Sequence, residues 1–142
     1  MEVAGWVKVR DETLFLAVWI MDKFCEKCNI SKERYQLLGL SSLFVAAKYE
    51  EIKPPKLKKY EGVYFNHQIL DMESEIILVL SFNLRVMTRV DYLKEFLLRV
   101  GMKDQFESLG CFFFLEYTLV EYEFSLINPA LISLAVLIMV GG

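Results

Sequence analysis

This sequence of 142 residues is poor in the side chains that most catalytic and metal sites require. It has one histidine, His67, and three cysteines, Cys25, Cys28 and Cys111. So few ligands exclude most metal-site and catalytic-dyad architectures, and an odd number of cysteines argues against a secreted disulfide scaffold. We therefore expect a protein that is not an enzyme, that holds no metal or cofactor, and that works in a reducing intracellular compartment.

Proline, glycine and net charge are also scarce. Three prolines and seven glycines exclude disordered, collagen-like and low-complexity chains. The net charge of -3 gives no electrostatic reason to expect nucleic acid or an anionic membrane as the main partner. Residues 1–10 mix charged with apolar side chains, which is unlike a secretory signal. The longest charge-free runs leave about 13 apolar residues, fewer than a bilayer span needs. We expect a protein partner instead.

What the sequence does contain is apolar residues, which make up 55% of the chain and recur at helical spacing. A helix over 31–51, with Ser31 as its N-cap, has no charge in its middle and is expected to be the buried centre of a bundle. Further helices are predicted over 12–24, 56–61, 66–80, 90–100, 105–121 and 129–140. The fold class is therefore all-α, and the chain divides near residues 85–91 into two domains, 1–86 and 87–142.

Two charged residues fall on otherwise apolar helix faces. Lys48 lies four residues after Phe44, and Glu73 lies four after Ile69 and four before Ile77. Burying either ion without a partner would cost several kcal/mol. The spacing leaves two interpretations open. The two residues form an internal ion pair or reach solvent, or both border an apolar docking groove.

Three other sequence patterns are weaker evidence of function. Cys25 and Cys28 have the spacing of a zinc or redox pair, but the sequence offers few further ligands and no preceding strand. The basic cluster at 56–59 is diluted by neighbouring acids and is expected to be a solvated helix face. The aromatic run at 112–124 lacks interleaved basic residues, so it predicts packing rather than stacking on nucleic-acid bases.

Several motifs, in order, resemble the cyclin box. They are the segments ETLFLAV (12–18), YQLLG (35–39), AAKYEEIKPP (46–55), QILDME (68–73) and LSFNL (80–84). The whole looks most like mitotic A-type and B-type cyclins. The resemblance implies the cyclin fold, with a cyclin box over 1–86 that lacks the start of its first helix and a partial second cyclin-like bundle over 87–142.

The same resemblance implies a regulatory subunit that binds and activates a cyclin-dependent protein kinase in cell-cycle control, in mitosis, in the nucleus and cytoplasm. In that family the residues corresponding to Lys48 and Glu73 hydrogen-bond to the kinase main chain. The apolar kinase contacts correspond to Val45, Tyr49, Ile77, Phe82 and Leu84. Alternatives are a cyclin-fold adaptor in transcription, which basic surface charge would indicate, or another helical interaction module outside kinase regulation.

The resemblance also assigns roles to four further residues. Glu2 and Gln36 correspond to a remnant of the patch that holds protein substrates, and Leu37 to a structural position. Asp22 corresponds to an aspartate that pairs with an arginine of a preceding helix, a stretch that is missing from this sequence. We therefore expect Asp22 to need another partner.

Overall fold

The structure, a computed structural model, describes residues 2–3, 7–8, 10–51, 64–101, 105–120 and 122–141. The helices in these residues are α1 (Asp11–Lys27), α2 (Lys32–Glu50), α3 (Asn66–Val79), α4 (Arg89–Val100), α5 (Gln105–Tyr117) and α6 (Pro129–Gly141). A 3-10 helix, Tyr122–Leu126, lies between α5 and α6. The prediction of an all-α fold is confirmed. The structure adds two short strands, β1 (Glu2–Val3) and β2 (Val7–Lys8), paired antiparallel.

The chain forms two compact units, Met1–Val86 and Met87–Gly142. In the first unit α2 packs against both α1 and α3. Small side chains lie buried in the middle of α2 at Ser41, Ser42, Ala46 and Ala47. Because the distance between packed helices depends on the side chains at the contact, these residues let neighbouring backbones approach closely. The larger buried side chains, among them Leu38, complete the core.

The start of α1 is held by a residue at the end of α2. Among the described side chains, the N-cap residue Arg10 makes no capping hydrogen bond. The carboxylate of Glu51 takes the place of a side-chain cap. Its Oε1 accepts hydrogen bonds from the backbone N–H of Arg10 at 2.7 Å and from the hydroxyl of Thr13 at 3.1 Å. Thr13 is fully buried, so its hydroxyl cannot use water instead. Glu51 therefore ties the two helices together at one end.

The second unit is organised around a buried arginine at the start of α4. The guanidinium of Arg89 donates to the hydroxyl of Thr118, 3.0 Å away, and the hydroxyl of Ser133 donates to the Arg89 carbonyl. These bonds link α4 to α6 and to the turn that follows α5. At its other end α4 stops at Gly101, whose φ of 66° is the left-handed conformation that glycine adopts at least cost.

Two sequence predictions differ from the structure in detail, and a third is not tested by the described residues. Helix α5 ends at Tyr117 rather than at 121, because the Thr118 hydroxyl donates to the Leu115 carbonyl at 2.6 Å and competes with the helical hydrogen bonds. Ser31 occupies the N-cap position of α2 as predicted, yet its side chain makes no capping bond to the described residues. The predicted helix over 56–61 and the basic cluster within it lie outside the described residues.

Among the residues that the structure describes, every helix is too short or too polar to cross a membrane.

Replacing Glu51 tests the link between α1 and α2. Glu51→Ala leaves the buried Thr13 hydroxyl and the Arg10 N–H without their acceptor, which should lower the free energy of unfolding by about 1–2 kcal/mol. Urea unfolding followed by far-UV circular dichroism measures the loss. The control Glu26→Ala breaks an exposed ion pair with Lys23 and should cost less than about 0.5 kcal/mol. Equal losses in the two variants would contradict this role of Glu51.

Candidate functional site

An exposed apolar groove of about 620 Å³ runs between α2 and α3. We call it the α2–α3 groove. Its lining comes from α2, from α3 and from the turn after α3: Val45, Lys48, Tyr49, Leu70, Glu73, Ser74, Ile77, Leu78, Phe82 and Leu84. Several of these apolar side chains are largely exposed, and Phe82 has 72% of its surface accessible. A continuous patch of large exposed apolar side chains on a small protein marks a surface for a partner.

The turn after α3 positions the Phe82 end of the groove. Ser81 and Phe82 both adopt left-handed backbone conformations, with φ of 54° and 59°. The N–H of Phe82 donates to the carbonyl of Ile77 at 2.9 Å, a bond characteristic of a Schellman helix end. Such positions usually carry glycine, since other residues are strained there. The chain thus accepts a strained turn that places Phe82 and Leu84 beside α3.

Lys48 and Glu73 form an ion pair within the groove lining. The ammonium nitrogen of Lys48 lies 3.0 Å from Oε1 of Glu73 and 3.1 Å from Oε2, and the hydrogen bond goes to Oε2. The lysine side chain is 51% exposed, whereas that of the glutamate is 9% exposed. The two interpretations drawn from the sequence are therefore not exclusive. The internal ion pair exists, and it also lines the apolar groove.

This ion pair still has hydrogen-bonding capacity for a ligand. An ammonium group carries three donors, and Lys48 uses one of them on Glu73. Oε1 of Glu73 is buried and lies 3.0 Å from the same nitrogen, so the accessible hydrogen-bonding capacity of the pair is on Lys48. An accessible cationic donor in an apolar wall suits a ligand that offers a carbonyl group, as a peptide main chain does.

The family model of the cyclin N-terminal domain matches residues 1–85 of the chain, and these residues include the whole α2–α3 groove. The chain belongs to the cyclin family. It is 36% identical over 139 residues to cyclin-B2-1 of Oryza sativa subsp. japonica, covering 95% of this chain and 33% of that protein. It is 37% identical over 127 residues to the G2/mitotic-specific cyclin-A of Spisula solidissima, covering 87% of this chain and 30% of that protein.

The identification made from sequence motifs is thereby confirmed, including the likeness to A-type and B-type cyclins. This cyclin chain spans about a third of the length of the curated relatives that it matches. Cyclins are regulatory proteins rather than enzymes.

The structure brings together all seven residues that the resemblance assigns to kinase binding. Val45, Lys48 and Tyr49 come from α2, Glu73 and Ile77 from α3, and Phe82 and Leu84 from the following segment. Their role in binding stays a prediction. Sequence reasoning missed Leu70, Ser74 and Leu78, which also line the groove. Leu70 lies three residues before Glu73 and Ser74 three before Ile77, so helical spacing could have found both, and Leu78 follows four residues after Ser74.

Of the remaining predicted residues of this cyclin, Gln36, Leu37 and Asp22 are not part of the groove lining. Gln36 is exposed and accepts a hydrogen bond from the Tyr64 hydroxyl at 3.5 Å. Leu37 is buried in the core, as suits a structural position. Asp22 is half-buried on α1 and takes part in an interaction of its own. The side chain of Glu2 lies outside the described residues.

Cys25 has the opposite electrostatics to a reactive redox cysteine. Burial raises the pKa of the Cys25 thiol, and the Asp22 carboxylate and then Cys28 raise it further. Reactive cysteines have lowered pKa values, since the thiolate is the nucleophile. Within the described part of the chain, no group of three His, Cys, Asp or Glu residues has the arrangement of a metal site.

The exposure of the two charges predicts unequal effects when each is removed. Lys48→Met leaves the buried Glu73 carboxylate without its cation and should lower the free energy of unfolding by about 1–3 kcal/mol. Glu73→Gln should cost less, because water can solvate the half-exposed ammonium group. The double variant should lose less than the sum of the single losses. Urea unfolding of the four proteins measures these differences. Strictly additive losses would contradict a coupled pair.

The raised pKa of Cys25 predicts slow alkylation. At pH 8 its reaction with iodoacetamide should be slower than that of an unstructured cysteine peptide, because less thiolate is present. Asp22→Asn removes a negative charge that disfavours the thiolate, so it should lower the pKa and speed the reaction. Mass spectrometry measures the rate at Cys25, which trypsin separates from Cys28 at Lys27. The control Asp71→Asn should leave the rate unchanged, and a slower reaction in Asp22→Asn would refute the assignment.

Proposed function

We propose that this cyclin binds the catalytic subunit of a cyclin-dependent protein kinase through the α2–α3 groove and activates it in cell-cycle control, during mitosis, in the nucleus and cytoplasm. One observation carries the proposal. Seven residues that the motifs assign to kinase contact are spread between positions 45 and 84, and they meet in a single exposed apolar groove around one ion pair.

The apolar part of the groove would receive a helix of the kinase. Recognition of this kind buries the apolar face of one helix in a groove between two others. In protein kinases the position of one such helix decides whether its glutamate pairs with the catalytic lysine, so a groove that fixes the helix can switch activity on. The cyclin contributes no chemical group to phosphoryl transfer. Its contribution is the free energy of binding to the active arrangement.

The ion pair would set the orientation of the bound helix. The spare donors of Lys48 suit main-chain carbonyls, and the family resemblance assigns the carboxylate of Glu73, whose side chain is 9% exposed, to the same kinase main chain. Hydrogen bonds to charged groups contribute about 1.5–3 kcal/mol, enough to favour one register of the helix over others. Apolar contacts alone would not distinguish such registers, because they are not directional.

The proposal includes a contact with protein substrates of the kinase near Gln36, together with Glu2. Gln36 is exposed, and its side chain is held by Tyr64. Gln36 is not part of the groove lining, so a substrate held there and the kinase could bind at the same time.

A double substitution separates the binding role of the ion pair from its structural role. Lys48→Met/Glu73→Gln removes both charges and leaves no buried charge unpaired, so the fold should be retained. We expect at least a tenfold loss of affinity for a purified cyclin-dependent kinase in surface plasmon resonance, with a matching loss of stimulated histone phosphorylation. Circular dichroism verifies that the helices remain.

The matched control is the ion pair between Arg34 of α2 and Glu75 of α3, whose 2.6 Å contact lies outside the groove lining. Arg34→Met/Glu75→Gln should bind the kinase as the unaltered chain does. Equal loss of affinity in both double variants would point to a general effect on the helices. Undiminished binding by the Lys48→Met/Glu73→Gln variant would refute the proposal.

A further inference from the structure

Helix α3 carries two exposed leucines that the motifs did not assign to kinase contact. Leu70 is 46% exposed and Leu78 is 67% exposed. Together with Ser74, which is also exposed, they line the α2–α3 groove. The three residues are spaced four apart, so they form one ridge along the surface of the helix. We call Leu70, Ser74 and Leu78 the outer ridge of α3.

The outer ridge differs from the two other faces of α3. One face packs in the core through Ile69, Met72 and Ile76, each at most 1% exposed. Another face carries the exposed charges of Asp71 and Glu75, which are not part of the groove lining. A surface helix of a globular protein usually has one apolar stripe, about 100° wide, which faces the core. Helix α3 has a further apolar surface on the groove side, beyond what the core requires.

Ser74 leaves a hole in this part of the groove wall. On a helix, four residues spaced i, i+3, i+4 and i+7 surround a hole that accepts one side chain of a facing helix. Here the four are Leu70, Glu73, Ser74 and Ile77, and all of them line the groove. Ser74 has the smallest side chain of the four, so it leaves room between the larger ones. We call this feature the Ser74 hole.

The polar groups of the Ser74 hole are already engaged within the chain. The hydroxyl of Ser74 donates to the carbonyl of Leu70 at 3.0 Å, so an apolar side chain that covers it costs this hydroxyl no hydrogen bond. The carboxylate of Glu73 is nearly buried and pairs with Lys48. The remaining surface is the hydrocarbon of Leu70 and Ile77. The hole therefore suits an aliphatic side chain better than a polar or charged one.

We propose that the Ser74 hole receives one aliphatic side chain, leucine, isoleucine or methionine, from the kinase helix in the α2–α3 groove. The small residue at position 74 then makes this cyclin selective for kinases that carry such a side chain at the matching place. This inference rests on the function proposed above. It is continuous with that surface, because Glu73 and Ile77 belong both to the hole and to the residues assigned to kinase binding.

A larger side chain at position 74 tests whether the hole is filled in the complex. Ser74→Leu occupies the hole, and the fold should be retained because the residue is exposed and leucine favours helix more than serine does. Surface plasmon resonance with a purified cyclin-dependent kinase should show at least about a tenfold loss of affinity. Ser74→Ala keeps the hole open and should bind within about twofold of the unaltered chain. The control Asp71→Leu adds the same side chain outside the groove lining and should leave the affinity unchanged.

Truncations in the kinase identify the inserted side chain. Each aliphatic residue of the docked kinase helix is replaced by alanine in turn. At one position the replacement should restore much of the affinity lost in Ser74→Leu, because two residues in contact have coupled effects. On the cyclin side, Leu70→Ala and Leu78→Ala should each weaken binding several-fold. The matched control Leu98→Ala, at a leucine of α4 that is 79% exposed, should not.

The outcomes separate this inference from the proposed function. Unaltered or tighter binding by Ser74→Leu would refute the filled hole alone, and so would a loss of affinity that no kinase truncation restores. If circular dichroism shows that Ser74→Leu is unfolded, Ser74→Met replaces it. An unaltered chain that binds no cyclin-dependent kinase would refute the proposed function, and the Ser74 inference would fall with it.

Discussion

The ion pair between Lys48 and Glu73 is the interaction on which the α2–α3 groove depends. It joins the two helices at the place where their apolar side chains separate and leave a surface open. The carboxylate is nearly buried and the ammonium group is half-exposed. Glu73 is thus held by the protein, while the ammonium group of Lys48 remains accessible. An ion pair of this kind can stabilise helix packing and still offer hydrogen bonds to a partner.

Other interactions keep the groove walls in place. Small buried side chains in α2 allow close packing of its neighbours, and Glu51 fastens the end of α2 to the start of α1. At the C-terminal end of α3, the strained turn at Ser81 and Phe82 completes the apolar wall of the groove. Strain in a backbone persists where the surrounding structure holds it, and it is common at functional sites. The groove is accordingly a preformed surface of the first unit.

The sequence was most informative where a repeated local pattern decides the outcome. The spacing of apolar residues predicted α1, α2 and α3 to within a few residues, and the motifs around Lys48 and Glu73 located the candidate site. The rest depends on contacts between residues far apart in sequence. The bond from Glu51 to Thr13 has no local signal. The early end of α5 depends on the Thr118 hydroxyl, which no periodicity reveals.

The central claim is that the α2–α3 groove becomes covered when a cyclin-dependent kinase binds. Hydrogen–deuterium exchange of the chain with and without the kinase tests this most directly. The account predicts that protection appears in peptides covering Val45 to Glu50 and Leu70 to Leu84, and that exchange in peptides covering Phe113 to Met139 of the second unit stays unchanged. Protection elsewhere, with unaltered exchange in both of these segments, would contradict it.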